Sequence, residues 1–112
     1  MHYTILTAKQ AHAVSSKFRV PDKGAVNMLQ SGNMVLVMVD FINSHTGRPQ
    51  AEPIWCVVLR REKDKLVVAA WDTPPPKKSM HHGIGAKTLL NIKLCNVIDI
   101  MFEAPKTEHK II

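Results

Sequence analysis

Cysteine is scarce in this chain: Cys56 and Cys95 are the only two, and each stands inside an apolar run. So few exclude a disulfide-built scaffold and predict a reducing compartment, with both thiols acting as small buried hydrophobes. No Cys-x-x-Cys or His-x-x-x-His spacing occurs, which removes the usual zinc frameworks. Gly-x-Ser-x-Gly is absent, so there is no serine-hydrolase elbow. Gly83-Ile84-Gly85 lacks the third glycine and the following helix of a phosphate-cradling loop. No apolar run approaches the roughly 20 residues needed to cross a bilayer. The opening Met-His-Tyr-Thr-Ile-Leu-Thr-Ala-Lys has neither the charged start nor the apolar core of a signal peptide. The expectation is a soluble cytoplasmic protein without metal, cofactor or membrane contact. Acidic residues are also in deficit, with Asp+Glu 9 against Lys+Arg 15 and a formal net charge of +6. That balance favours a polyanionic partner, most simply nucleic acid. An acidic protein partner, or a basic surface that only confers solubility, satisfies the same charge.

What is present is sheet-forming. The chain has 112 residues, 46% of them apolar, which suits one domain with one core. From Met34 to Trp71 three β-branched apolar runs, 34–42, 54–59 and 66–71, follow one another at short spacing, the pattern of consecutive antiparallel strands. Only Asp40 interrupts the first run, so both its faces need cover, from a helix, from barrel closure or from a second subunit. Asn43 to Pro53 reads as a long loop. Arg60 to Lys65 reads as a charged hairpin, and Asp72 to Lys78, with three successive prolines, must leave the sheet. Leu90, Ile92 and Leu94 alternate with polar residues, which predicts a strand over 87–94, and 97–102 predicts another. Ahead of the strands, Thr7 fits the N-cap of a helix over 8–17, with Ala8, Ala11, Val14 and Phe18 forming its apolar stripe. Pro21 to Gly24 is a turn signal, and 25–29 fits either a helical turn or a short strand. The organisation expected is a single domain, 1–112: an N-terminal helical extension over 1–30, a β core over 31–105 and a tail over 106–112. The class is mainly β with one or two short helices.

The chemistry-bearing residues fall in the loops beside the strands. His45, Thr46 and Arg48 lie in the first long loop; Asp72, Thr73, Lys77, Lys78, His81 and His82 lie in the second. They combine proton carriers with phosphate binders. Metal-free RNA cleavage needs a base for the 2′-hydroxyl proton, a cation for the phosphorane charge and an acid for the leaving oxygen. Arg48, Thr73 and a histidine have the right chemistry for those roles. On spacing alone, the same residues read more readily as solvated loop positions.

The order of features resembles the MazF/PemK family of small toxin endoribonucleases. Ser31-Gly-Asn-Met-Val-Leu-Val-Met-Val-Asp-Phe41 is similar to that family's glycine-led opening strand. A polar loop, a proline-containing entry to a Val57-Val58-Leu59 strand and a strand ending in Thr73 follow in the same order. Gly83-Ile84-Gly85-Ala86-Lys87-Thr88, with the strands after it, is similar to a later family stretch. The resemblance spans about residues 31–102. One departure is visible: the family carries Arg-Pro just before its second core strand, whereas the equivalent stretch here reads Glu52-Pro53-Ile54-Trp55-Cys56. Arg48-Pro49 lies earlier in the loop. The helix ahead of Gly32 is a second departure.

The resemblance implies a small SH3-like antiparallel β-barrel with an N-terminal helix, a homodimer, and an RNA groove that an antitoxin protein blocks. It implies metal-independent cleavage of single-stranded RNA, or descent from a protein that performed it. Under that expectation Thr73 positions the scissile phosphate, Arg48 stabilises its charge and His45 carries a proton. Lys77, Lys78, His81 and His82 grip the RNA backbone. The missing arginine favours the alternative, a non-catalytic β-barrel module that binds nucleic acid or an acidic protein, of the kind a mobile element carries.

Overall fold

The computed structural model describes residues 3–42, 46–71, 84 and 87–102. Its core is an antiparallel meander of β2 (Met34–Ile42), β3 (Pro49–Glu62), β4 (Lys65–Ala70) and β5 (Leu89–Lys93). A 3-10 turn, Leu94–Asn96, then carries the chain from the β5 edge across to β2, where β6 (Asp99–Met101) pairs with Met34–Leu36. The short β1 (Tyr3–Ile5) pairs with Val39–Phe41 on the same edge of β2. Between β1 and β6 the edge is continued by single bonds: Leu6 N–H donates to Met38 O at 2.9 Å and Ile98 N–H to Leu36 O at 2.9 Å. The fold is therefore mainly β, a curled antiparallel half-barrel with two helices, consistent with the small β-barrel that the sequence led us to expect.

Two clusters explain why β2 is apolar throughout. Val35, Val37, Val39 and Phe41 point into the barrel with Cys56, Leu66 and Ile92. Leu36 and Met38 point out, and meet Ala8, Ala11 and Ile98 with Trp55 and Phe18 beside them. The cover for that outer face is α1 (Ala8–Val14), which lays Ala8 and Ala11 on the sheet. Thr7 caps α1 as predicted: its Oγ1 accepts from Gln10 N–H at 3.2 Å, while Gln10 Oε1 accepts from Thr7 N–H at 2.8 Å. The helix is shorter than expected. It ends at Ser15, which is extended, and Val14 is exposed rather than part of the packed stripe.

The proline-rich entry to β3 also differs from expectation, because the strand begins at Pro49 and takes in residues 49–53 of the segment read as loop. Strand parity supplies the reason. The bonds from Leu6 and Ile98 show that the even residues of β2 turn their backbone groups away from β3. Pro49 and Pro53 face Ile42 and Met38, both even, so neither proline sits where a ladder N–H is required.

The hairpin between β3 and β4 is tight, with Glu62 opposite Lys65 and Lys63 at φ 56° in the left-handed region. Before it, the register shifts by one residue between Val58 and Arg60, a bulge at Leu59. A bulge reverses which side chains face inward. Ile54, Cys56 and Val58 are buried ahead of it, and after it Arg61, opposite buried Leu66, takes the inward position. The segment read as a turn at Pro21–Gly24 instead leads into the one-turn helix α2 (Lys23–Asn27). Arg61 closes the end of that helix: its Nη1 donates to the carbonyls of Asn27 at 2.7 Å and Leu29 at 3.1 Å. Its Nε donates to Lys63 O at 3.1 Å. Among the described residues no helix is long and apolar enough to cross a membrane.

Candidate functional site

Of the residues assigned roles in RNA chemistry, the structure describes Arg48 alone. His45, Thr73, Lys77, Lys78, His81 and His82 lie outside the described residues. Arg48 is exposed, and its backbone N–H donates to Thr46 Oγ1 at 3.2 Å, an ordinary loop turn just ahead of β3. The far end of β4 is fixed by Trp71, whose N–H donates to Trp55 O at 2.8 Å. Arg48 precedes Trp55 by seven residues of nearly continuous strand, roughly 23 Å along the chain at strand rise. The described backbone therefore does not carry Arg48 to the end of β4. Nor does the barrel offer a replacement in register: Ile54 is a core residue, 3% exposed, and Glu52 is half-buried opposite Val39.

The thiols separate. Cys56 is buried between the sheet faces, and burial pushes its pKa up to about 12. Cys95 departs from expectation: it is exposed, because the predicted strand stops at Lys93 and residue 95 sits on the 3-10 turn. A cavity of about 430 Å³ opens beside it, between α1 and α2, walled by Ala8, Val20, Pro21 and Val26. Lys9 and Lys23 stand at the same cavity. No three His, Cys, Asp or Glu side chains gather into a metal-binding group among the described residues.

Two buried asparagines hold the barrel seams. Asn96 Oδ1 accepts from Lys93 N–H at 2.8 Å, and its Nδ2 donates to Ile5 O and Leu6 O at 3.3 and 3.1 Å. Asn33 Oδ1 accepts from Gln30 N–H at 2.8 Å, and its Nδ2 donates to Phe102 O at 2.8 Å. Their role is to tie chain segments distant in sequence, and each has its amide satisfied in doing so. No family model, curated protein or solved structure matches this chain.

What the geometry does present is cationic surface. Every described lysine and arginine except Arg61 is exposed. Among the described residues the ion pair is Arg60 with Glu62, both on β3. Sequence reasoning placed the phosphate-binding cations in the 72–83 segment and passed over those on the sheet itself. Their signal was present but unreadable without register, since the facing of Lys65 and Lys93 depends on how β4 pairs with β5.

Proposed function

We propose that this chain is a small β-barrel module that binds single-stranded RNA through charge. The observation that carries the reading is the set of exposed cations: a net charge of +6, with Arg61 alone drawn into the fold and Arg60 alone in an ion pair among the described residues. Binding of this type is electrostatic and sequence-tolerant, so it weakens steeply with salt. The direct test is a mobility-shift titration of the purified protein with single-stranded RNA at low and physiological salt. A shift that fades with salt supports the reading, and no shift at low salt contradicts it.

A second reading, a toxin-like endoribonuclease, is supported by one observation: β2, β3 and β4, then two later strands, β5 and β6, follow one another in the order that the MazF/PemK resemblance implies. In it Thr73 positions the scissile phosphate and Arg48 stabilises its charge, with a homodimer and a blocking antitoxin as partners. The geometry argues less for it, because Ile54 is core and Arg48 stands far along β3 from Trp71. Incubating the same RNA in EDTA decides between the two. Cleavage lost in Arg48→Ala and Thr73→Ala identifies the enzyme; intact RNA, together with no growth arrest on expression, leaves the binding module.

A further inference from the structure

The register of β4 and β5 places two lysines side by side. Lys65 is opposite Lys93, and both side chains are exposed while their strand neighbours Leu66 and Ile92 are buried. The bonds at the two ends of the ladder fix the kind of pair. Leu94 N–H donates to Asp64 O and Ala70 N–H to Thr88 O, both at 2.9 Å. The residues between alternate, so Lys65 and Lys93 form a non-hydrogen-bonded pair, the arrangement in which opposed side chains come closest. Like charges directly opposite one another destabilise a sheet. Glu62 lies across the hairpin from Lys65 but is engaged by Arg60. Neither lysine has a carboxylate partner among the described residues.

The same outer face continues along β5 with exposed Asn91 and with Leu89, which is 63% exposed. α1 covers β2 and reaches Trp55, and leaves these positions open. A paired cationic end followed by an amide and an apolar side chain suits a flexible polyanion with stackable bases: ammonium groups for phosphates, Asn91 for base edges, Leu89 for a base face.

We propose that the outer face of the β4–β5 ladder, with Lys65 and Lys93 as its phosphate-binding pair, is the surface on which this protein holds single-stranded RNA. The inference rests on the RNA-binding reading above and names the surface that performs it. Lys63, on the adjoining turn, adds a third cation at the same end.

The test compares three full-length proteins by fluorescence anisotropy with a labelled RNA of about 16 nucleotides, across a salt series. They are the wild type, the double variant Lys65→Thr/Lys93→Thr, and a charge-matched control off the β4–β5 ladder, Lys17→Thr/Arg19→Thr, at exposed positions in the segment after α1. The expected result is affinity about ten-fold lower in the β4–β5 variant and a log–log salt slope smaller by about 1.4, two phosphate contacts at about 0.7 each. The control keeps the wild-type slope to within half of that change. Removing the like-charge pair also raises the melting temperature of the double variant, so lost binding cannot be ascribed to unfolding. Equal losses in the two variants, or an unchanged slope in the β4–β5 variant, overturn the assignment while wild-type binding stands. Absence of wild-type binding overturns the RNA reading itself, and tighter binding of polyglutamate than of RNA replaces it with an acidic protein partner.

Discussion

Arg61 shows how one side chain can be removed from the functional account by its hydrogen bonds. In the sequence it belongs to a charged hairpin; in the fold it faces inward and caps the carbonyls at the end of α2. Arg61→Ala is expected to destabilise the protein by about 2 kcal/mol, the scale of hydrogen bonds to a charged group. Arg61→Lys recovers less than half of that, because an ammonium cannot span the fork of carbonyls. Chemical denaturation of the variants measures both. Cys56 makes a second residue-scale prediction. Its pKa rises from 9.0 to about 12 through burial, so the unfolded chain loses the thiol proton first as pH increases. The stabilisation is whole below pH 9 and is lost as pH climbs toward 12. Melting temperatures of wild type and Cys56→Ala measured from pH 8 to 11 should converge toward the alkaline end. In native protein, thiol-specific alkylation at pH 8 should modify Cys95 and spare Cys56.

At the scale of elements, the bulge at Leu59 inserts one residue into β3. Deleting Leu59 removes the extra residue but leaves Arg60 opposite Val67 and Arg61 opposite Leu66, so Arg61 still faces inward toward α2. The deletion should therefore cost less stability than Arg61→Ala, and an equal or larger loss in denaturation midpoint contradicts this account of the bulge. Several elements were legible in the sequence for physical reasons. β2 is bounded by the Gly32-Asn33 turn and has no competing period, so its limits, Met34 and Ile42, follow from composition alone. Thr7 could be recognised because a cap needs only local chemistry. The start of β3 was hidden because a proline's tolerance in a strand depends on pairing parity, a property of two segments at once. Cys95 was misplaced because the alternation of Leu90, Ile92 and Leu94 runs into the 3-10 turn without a break. The candidate site was least legible of all. Loop residues advertise chemistry by type, whereas the Lys65–Lys93 juxtaposition exists only once β4 and β5 are in register.

For the whole molecule, the curl of the sheet is held where both ends of the described chain meet β2. β1 and β6 share one edge of it, and Asn96 joins that seam to Ile5 and Leu6. α1 covers Leu36 and Met38 on the outer face of β2, so these apolar side chains are covered within one chain, while Ile42 at the strand's end is exposed. Ala11 is fully buried in that contact, and Ala11→Glu should destabilise by more than about 3 kcal/mol, the cost of an unpaired charge in an apolar interface. Because the core needs no second copy, the melting temperature should not change over a hundred-fold range of protein concentration. A clear rise with concentration would show that the barrel is completed between subunits.

If single-stranded RNA lies on the β4–β5 ladder, the residues of that ladder sense it first. Unlabelled RNA titrated into isotopically labelled protein, with each backbone amide followed by NMR, reads this out residue by residue. Salt-sensitive shifts are expected at Lys63, Lys65, Asn91 and Lys93, with α1 undisturbed. Shifts confined to α1, or none at low salt, would contradict it.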